Sequence, residues 1–351
     1  MLFRRFYLSI ENELLYHNMV FIREGEKMGE FRKVITKPGE VIGYETVFEE
    51  NPYLRTGVPE KMGTVERYDY STSVYENGVT YNKTAYVYLP YCYDKDDKDR
   101  KYNVLYFQHG NTCEPAMFAI GGNKYMFDML FDSGELDPCI IVFVTYYMDP
   151  MRDADVRTQT GGAEAGDGVT PGIPANYDKE IVKDIIPGVE MRYNTYLTDP
   201  SEEGIIASRD HRAFAGYSRG CAWTWRFFHY GFKYFRWWCP TSGGIDCDQP
   251  IPMPPDSRPG PSNTDEEIAA YVTAPIKANP DLPFFIYTGS GGKTDAFWMR
   301  HQIKVLTEQP EFSYGPDPAK NNLLYTLSDY YHTDYLIPYY FWNYLKVIFK
   351  I

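Results

Sequence analysis

The chain has 351 residues, of which 35 are basic and 48 acidic, for a net charge of -13 at neutral pH. That balance repels phosphate backbones and anionic lipids, which argues against nucleic acid and membrane surfaces as partners. Hydrophobic residues at 44% and charged residues at 24% match an ordinary globular protein with a full core, and no apolar stretch approaches the ~20 residues of a membrane span. The 33 tyrosines favour half-buried surfaces and grooves that stack on flat or ring-shaped ligands.

In chain order, the opening MLFRRFYLSIENELL carries the basic residues of a signal peptide. Glu11 and Glu13 interrupt the apolar core that a cleavable signal requires, so no signal peptide is visible. Residues 1–60 read as an N-terminal extension, open between an edge strand, an amphipathic helix and an unordered segment, ahead of a catalytic domain over 61–351. TVERYDYST and VTYNKTAYVYLP alternate polar and apolar residues like an antiparallel pair at a sheet edge. Beyond them, β-rich runs at 102–108, 139–146, 211–217, 234–242, 283–289 and 321–327 interleave with helix-compatible segments near 120–133, 177–192, 219–231, 264–276, 295–308 and 335–348. Strand, helix, strand is the rhythm of a mostly parallel sheet flanked by helices. Two Gly- and Pro-rich stretches, 147–176 and 244–263, are too long for plain connections. Each follows a strand, so each should emerge at the carboxyl edge of the sheet, where open α/β folds bind ligands. The six cysteines (92, 113, 139, 221, 239 and 247) form no CxxC pair, which suggests no zinc and leaves room for one or two bridges.

Chemistry concentrates at Gly216-Tyr217-Ser218-Arg219-Gly220, a GxSxG between a strand and a helix. That context makes a nucleophile elbow, with glycines where a Cβ would collide with the neighbouring strand and helix. A serine nucleophile needs a histidine base, which in this architecture follows it in the chain. His229 and His301 fall inside helices. His332, in SDYYHTDY after the last strand, can be aimed at Ser218 by a loop. The orienting carboxylate is expected to be Asp295, just past PFFIYTG, in preference to Asp265, Asp281, Asp329 and Asp334. The oxyanion should be held by the Arg219 amide and by Asn111 or Thr112 in the loop after YNVLYFQ, with His109 packing beneath it. No metal or organic cofactor is expected.

With those residues placed, the chain resembles carbohydrate esterase family 1, the feruloyl and acetyl xylan esterases of the α/β-hydrolase superfamily. The resemblance runs from about residue 64 to the end. It is strongest in KEIVKDIIPGVEMRYNTY, in ASRDHRAFAGYSRG and in the histidine with its aromatic helix, YHTDYLIPYYFWNYL. It implies an α/β-hydrolase fold, His332 as base and Asp295 as acid. The implied substrates are feruloylated or acetylated xylan oligosaccharides, acted on by a secreted or extracellular enzyme. A noncatalytic carbohydrate-binding relative is the alternative of a different class. For a flat hydroxycinnamoyl group, Tyr217 beside the nucleophile and Met148, Met151 and Ile251 on the two long loops should line the substrate. The chain departs from the family at Arg219 and Cys221 in the elbow, at NTCEP in place of the glycine run after His109-Gly110, and at Thr333 after the histidine. Arg219 and NTCEP are expected to border the acyl pocket.

Overall fold

Among the described residues, runs rich in Val, Ile, Tyr, Phe and Trp form eight strands: β1 (Thr64–Thr72), β2 (Tyr81–Leu89), β3 (Val104–Gln108), β4 (Ile140–Val144), β5 (Arg212–Tyr217), β6 (Trp237–Thr241), β7 (Phe285–Gly291) and β8 (Leu323–Ser328). The structure is a computed structural model that describes residues 59–75, 78–110, 113–119, 121–148, 176–245, 263–291, 295–328, 331–332 and 337–350. The strands make one sheet in the order β1-β2-β4-β3-β5-β6-β7-β8. β1 and β2 are antiparallel, from Thr64 opposite Leu89 to Thr72 opposite Tyr81, and β2 is antiparallel to β4. From β4 to β8 every pairing is parallel. The residues explain the division. β1 is an edge strand with mostly exposed or half-buried side chains, whereas β3 to β7 are buried at every position, as parallel strands covered on both faces must be.

Two apolar layers cover the sheet. Val104, Tyr106, Val142, Phe214, Trp238, Ile286 and Tyr325 face one layer, with Trp223 and Phe227 of one helix and Ile268 and Val272 of another. The intervening residues Leu105, Phe107, Ile141, Phe143, Ala215, Cys239 and Tyr287 face the opposite layer, with Phe127, Leu130, Phe341 and Trp342. The two-residue period of a strand thus sorts its side chains between two cores. The helices are α1 (Pro115–Ala119), α2 (Gly121–Asp132), α3 (Tyr177–Glu180), α4 (Ile186–Glu190), α5 (Glu202–Ala207), α6 (Arg219–Gly231), α7 (Asp265–Ala278), α8 (Ala296–Thr307) and α9 (Ile337–Leu345). Thr264 begins α7 with a full capping box, its hydroxyl accepting from the Glu267 amide while the Glu267 carboxylate accepts from the Thr264 amide. Among the described residues no helix is long and apolar enough to cross a membrane.

The segment expected to be one helix over 177–192 is split. A π-helical turn, Ile181–Ile185, joins α3 to α4, and the Ile186 amide bonds back five residues to the Ile181 carbonyl. Pro187, in the first turn of α4, has no N–H and its ring crowds the carbonyl four residues back, so the wider turn absorbs it. Sequence periodicity also passed over α5. That helix has only six residues and begins at Ser201, whose hydroxyl accepts from the Gly204 amide at 3.2 Å. Cys92, Cys113, Cys139, Cys221 and Cys239 are all free, so the room left for bridges is not used among the described residues. Cys247 lies outside them.

Two buried ion pairs tie the sheet to its helices. Arg212, the first residue of β5, donates to both carboxylate oxygens of Glu190 at 2.6 and 2.9 Å, and to the Ile205 and Tyr234 carbonyls. Tyr106 of β3 donates to the same carboxylate at 2.7 Å. Lys83 of β2 meets Glu180 at 2.7 Å, where Tyr70 and Tyr75 also donate. Glu190 and Arg212 therefore join the two sequence stretches KEIVKDIIPGVEMRYNTY and RDHRAFAGYSRG at the start of β5, the strand whose far end leads into the elbow. Removing one partner of such a pair leaves a buried charge unmatched, which costs about 3–5 kcal/mol. Glu190→Ala is expected to lower the unfolding free energy by that much, read as the shift in the urea midpoint multiplied by the m-value. A midpoint equal to wild type would show that the pair contributes nothing to stability.

Candidate active site

The elbow is built by close approach. Ser218 sits between β5 and α6 at φ 58°, ψ −117°, a conformation that L residues rarely adopt. A Cβ on Gly216 would run into the Gly220 carbonyl and the Thr224 hydroxyl. One on Gly220 would stand 2.7 Å from the His109 carbonyl and collide with that of Gln108. Only glycine lets α6 pack this tightly against the ends of β3 and β5. Behind the serine, its own amide donates to the Thr241 carbonyl at 3.0 Å. A Cβ on Gly243 would stand 2.5 Å from the Ser218 carbonyl. The turn after β6 therefore backs the elbow, with Ser242 also at positive φ, 55°, and its amide donating to the Gly289 carbonyl at 2.8 Å. Sequence reading passed over this support. Its signal was the TSGG that ends β6.

Three strand ends bring the expected residues together. Ser218 follows β5, Asp295 follows β7 and His332 follows β8. His332 Nδ1 lies 2.9 Å from Asp295 Oδ2, and His332 Nε2 lies 3.0 Å from Ser218 Oγ. A carboxylate can only accept, so Nδ1–H donates to Asp295, and Nε2 is left as the acceptor for the Ser218 hydroxyl. Asp295 is 2% exposed and precedes the first turn of α8, where the helix dipole favours a negative charge. The His332 side chain is 39% exposed. The other histidines after the serine are engaged elsewhere. His229 stacks on Tyr271 with ring centres 4.0 Å apart, and His301 pairs with Asp265 at 2.7 Å.

Opposite the base, Gly110 passes so near the serine that a Cβ on it would stand 3.1 Å from Ser218 Cβ. The Gly110 carbonyl accepts from the His109 ring at 2.7 Å and from the Tyr146 hydroxyl at 3.2 Å. The other His109 nitrogen meets the Thr145 hydroxyl at 2.9 Å. His109, 1% exposed between Tyr146 and Tyr147, thus fastens the end of β3 to the end of β4 under the loop. Asn111 and Thr112 lie outside the described residues. Arg219 opens α6, so its amide is one of the first-turn N–H groups that intrahelical bonding leaves over.

The substrate-facing residues separate. Tyr217 is 1% exposed, and its ring lies against His332 at 5.1 Å and 28°. It packs against the imidazole of the expected base. Its position one residue before the nucleophile gave no sign of that contact. Met148 is half-buried beyond β4. Met151 and Ile251, with most of the 147–176 and 244–263 loops, lie outside the described residues, as do Asp329 and Asp334.

A family model described as a putative esterase matches residues 79–222, the stretch from β2 into the elbow helix. The chain is 27% identical over 254 residues to endo-1,4-beta-xylanase Y of Acetivibrio thermocellus, an alignment that takes in 72% of this chain and 20% of that protein. The chain thus spans about one fifth of that relative's length. Among solved structures, it is similar to a feruloyl esterase module from Clostridium thermocellum, a serine-to-alanine variant complexed with sinapinate. The TM-score is 0.67 at 23% identity, covering 93% of this chain and 95% of the other. A CE1 ferulic acid esterase from Anaeromyces mucronatus, in complex with ferulic acid, aligns at TM-score 0.56 and 18% identity over 84% of this chain and 93% of that one.

The mostly parallel sheet and its flanking helices are the fold of these solved structures, and residues 79–222 are similar to the putative-esterase model.

Proposed function

We propose that the chain is a serine esterase that releases hydroxycinnamoyl groups of the feruloyl kind from xylan or its oligosaccharides. The observation that carries the mechanism is the unbroken chain of contacts from Asp295 through His332 to Ser218, at 2.9 and 3.0 Å. In the first half-reaction Ser218 Oγ bonds to the ester carbonyl carbon while its proton passes to His332 Nε2. The negative charge on the former carbonyl oxygen is met by the Arg219 amide and by an amide of the loop at Asn111 and Thr112. As the tetrahedral intermediate collapses, the bond to the sugar oxygen breaks and that oxygen takes the proton from Nε2, leaving acyl-Ser218. Water then repeats the sequence. It loses a proton to Nε2 and adds to the acyl carbon, after which Ser218 leaves with the proton and the free acid departs. Asp295 holds the imidazole in the tautomer this cycle needs and balances the imidazolium charge.

The feruloyl group is supported by the relatives, one bound to sinapinate and one to ferulic acid, and the xylan by the xylanase relative. Cell-wall polymer is too large to enter a cell, so an enzyme with this substrate works outside it. The expected result is a higher kcat/KM for methyl ferulate than for acetylated xylan, read from steady-state hydrolysis of the two. A preference for acetate would assign the chain to the acetyl xylan esterases, and no turnover of any ester would favour a noncatalytic glycan binder.

A further inference from the structure

Two side-chain donors converge on one backbone atom beside the nucleophile, the Gly110 carbonyl oxygen. The Tyr146 hydroxyl donates to it at 3.2 Å, and His109 Nδ1 meets it at 2.7 Å. A carbonyl can only accept, so the His109 proton sits on Nδ1, and Nε2 accepts from the Thr145 hydroxyl at 2.9 Å. The Thr145 oxygen accepts in turn from the Tyr147 amide at 3.1 Å.

His109, Thr145 and Tyr146 are all buried. Burial also holds the Tyr146 phenol well above its ordinary pKa, so it stays protonated and able to donate at every pH where an imidazole serves as base. Two donors on one carbonyl fix more than the position of its oxygen. They fix the plane of the peptide group it belongs to, because that group is rigid and, when trans, carries its N–H opposite to its C=O. The N–H of this group belongs to Asn111, the first of the two residues expected to supply the second oxyanion amide. Gly110 itself passes so near the serine that a Cβ on it would stand 3.1 Å from Ser218 Cβ.

We propose that Tyr146 is a positioning residue for acyl transfer. Together with His109, whose tautomer Thr145 holds, it aims the peptide group after Gly110 so that its N–H is set for the oxyanion before the ester arrives. This rests on the reading of the site as a serine esterase. Tyr146→Phe removes one hydroxyl and keeps the ring, which packs against His109 and Tyr147 at 4.8 and 4.7 Å. It is expected to lower kcat for methyl ferulate about ten- to a hundredfold and to change KM by less than about twofold, because the amide remains and only its aim is lost. Thr145→Val lets the His109 proton move to Nε2 and should show the same split.

A boronic acid, which adds to Ser218 Oγ as a tetrahedral anion, reads the oxyanion donors without turnover. Its inhibition constant should weaken in both variants by about the same factor as kcat. Binding of intact methyl ferulate to Ser218→Ala, with and without Tyr146→Phe, reads the ground state and should change by less than about twofold. Wild-type kcat in both variants, or equal losses of boronate and ester affinity, would overturn the proposal while leaving the esterase reading in place. A wild-type protein that hydrolyses no ester would refute that reading and this role with it.

Discussion

Ser218→Ala should retain the wild-type unfolding midpoint and lose methyl ferulate hydrolysis by at least about 10⁴-fold, because a catalytic unit deprived of its nucleophile performs about as poorly as one deprived of every member. Stability is spared for a local reason. The strain at φ 58° belongs to the backbone turn, and alanine bears it no worse than serine. The amide bond to the Thr241 carbonyl and the packing against Gly243 do not involve the hydroxyl. Near-wild-type turnover in this variant would refute the assignment of Ser218. Circular dichroism and urea melts of the same preparation separate a chemical loss from unfolding.

Asp295→Asn is expected to keep the fold and reduce kcat by about 10⁴-fold, as in other triads. The substitution preserves shape at a site that is 2% exposed. It changes which atom can donate. Asn can present an N–H to His332 Nδ1, which would place the imidazole proton on Nε2, directly against Ser218 Oγ 3.0 Å away. The base would then be blocked, and no carboxylate would balance the imidazolium. Single-turnover acylation by a chromogenic ester measures the loss directly. A larger loss in Asp329→Asn or Asp334→Asn would identify a different acid.

Much of this molecule could be read from short stretches, and the physical reason is range. Strand periodicity, the long parallel-sheet runs and the capping box at Thr264 depend on neighbours a few residues away. The elbow does too. Gly216 and Gly220 are required by contacts made within one strand-turn-helix unit, so GxSxG in that context carried its own evidence. Chain order then narrowed the base to His332, because the histidines inside α6 and α8 could not reach back to the serine.

What only the tertiary structure decided depended on residues far apart in sequence. The pairing of Glu190 with Arg212 spans 22 residues, and that of Lys83 with Glu180 spans 97. No local pattern distinguishes these charges from solvated ones. The π turn at Ile181–Ile185 was hidden because Pro187 leaves the apolar period intact while altering the hydrogen bonding. The contact of Tyr217 with His332 was hidden for a related reason. The tight turn puts this ring against a histidine 115 positions later, a contact that no local pattern signals. The sequence by itself determined the fold class and a short roster of chemical groups, since both follow from local periodicity and backbone sterics. The separation of those groups was decided by the parallel sheet, which brings the ends of β5, β7 and β8 to one edge.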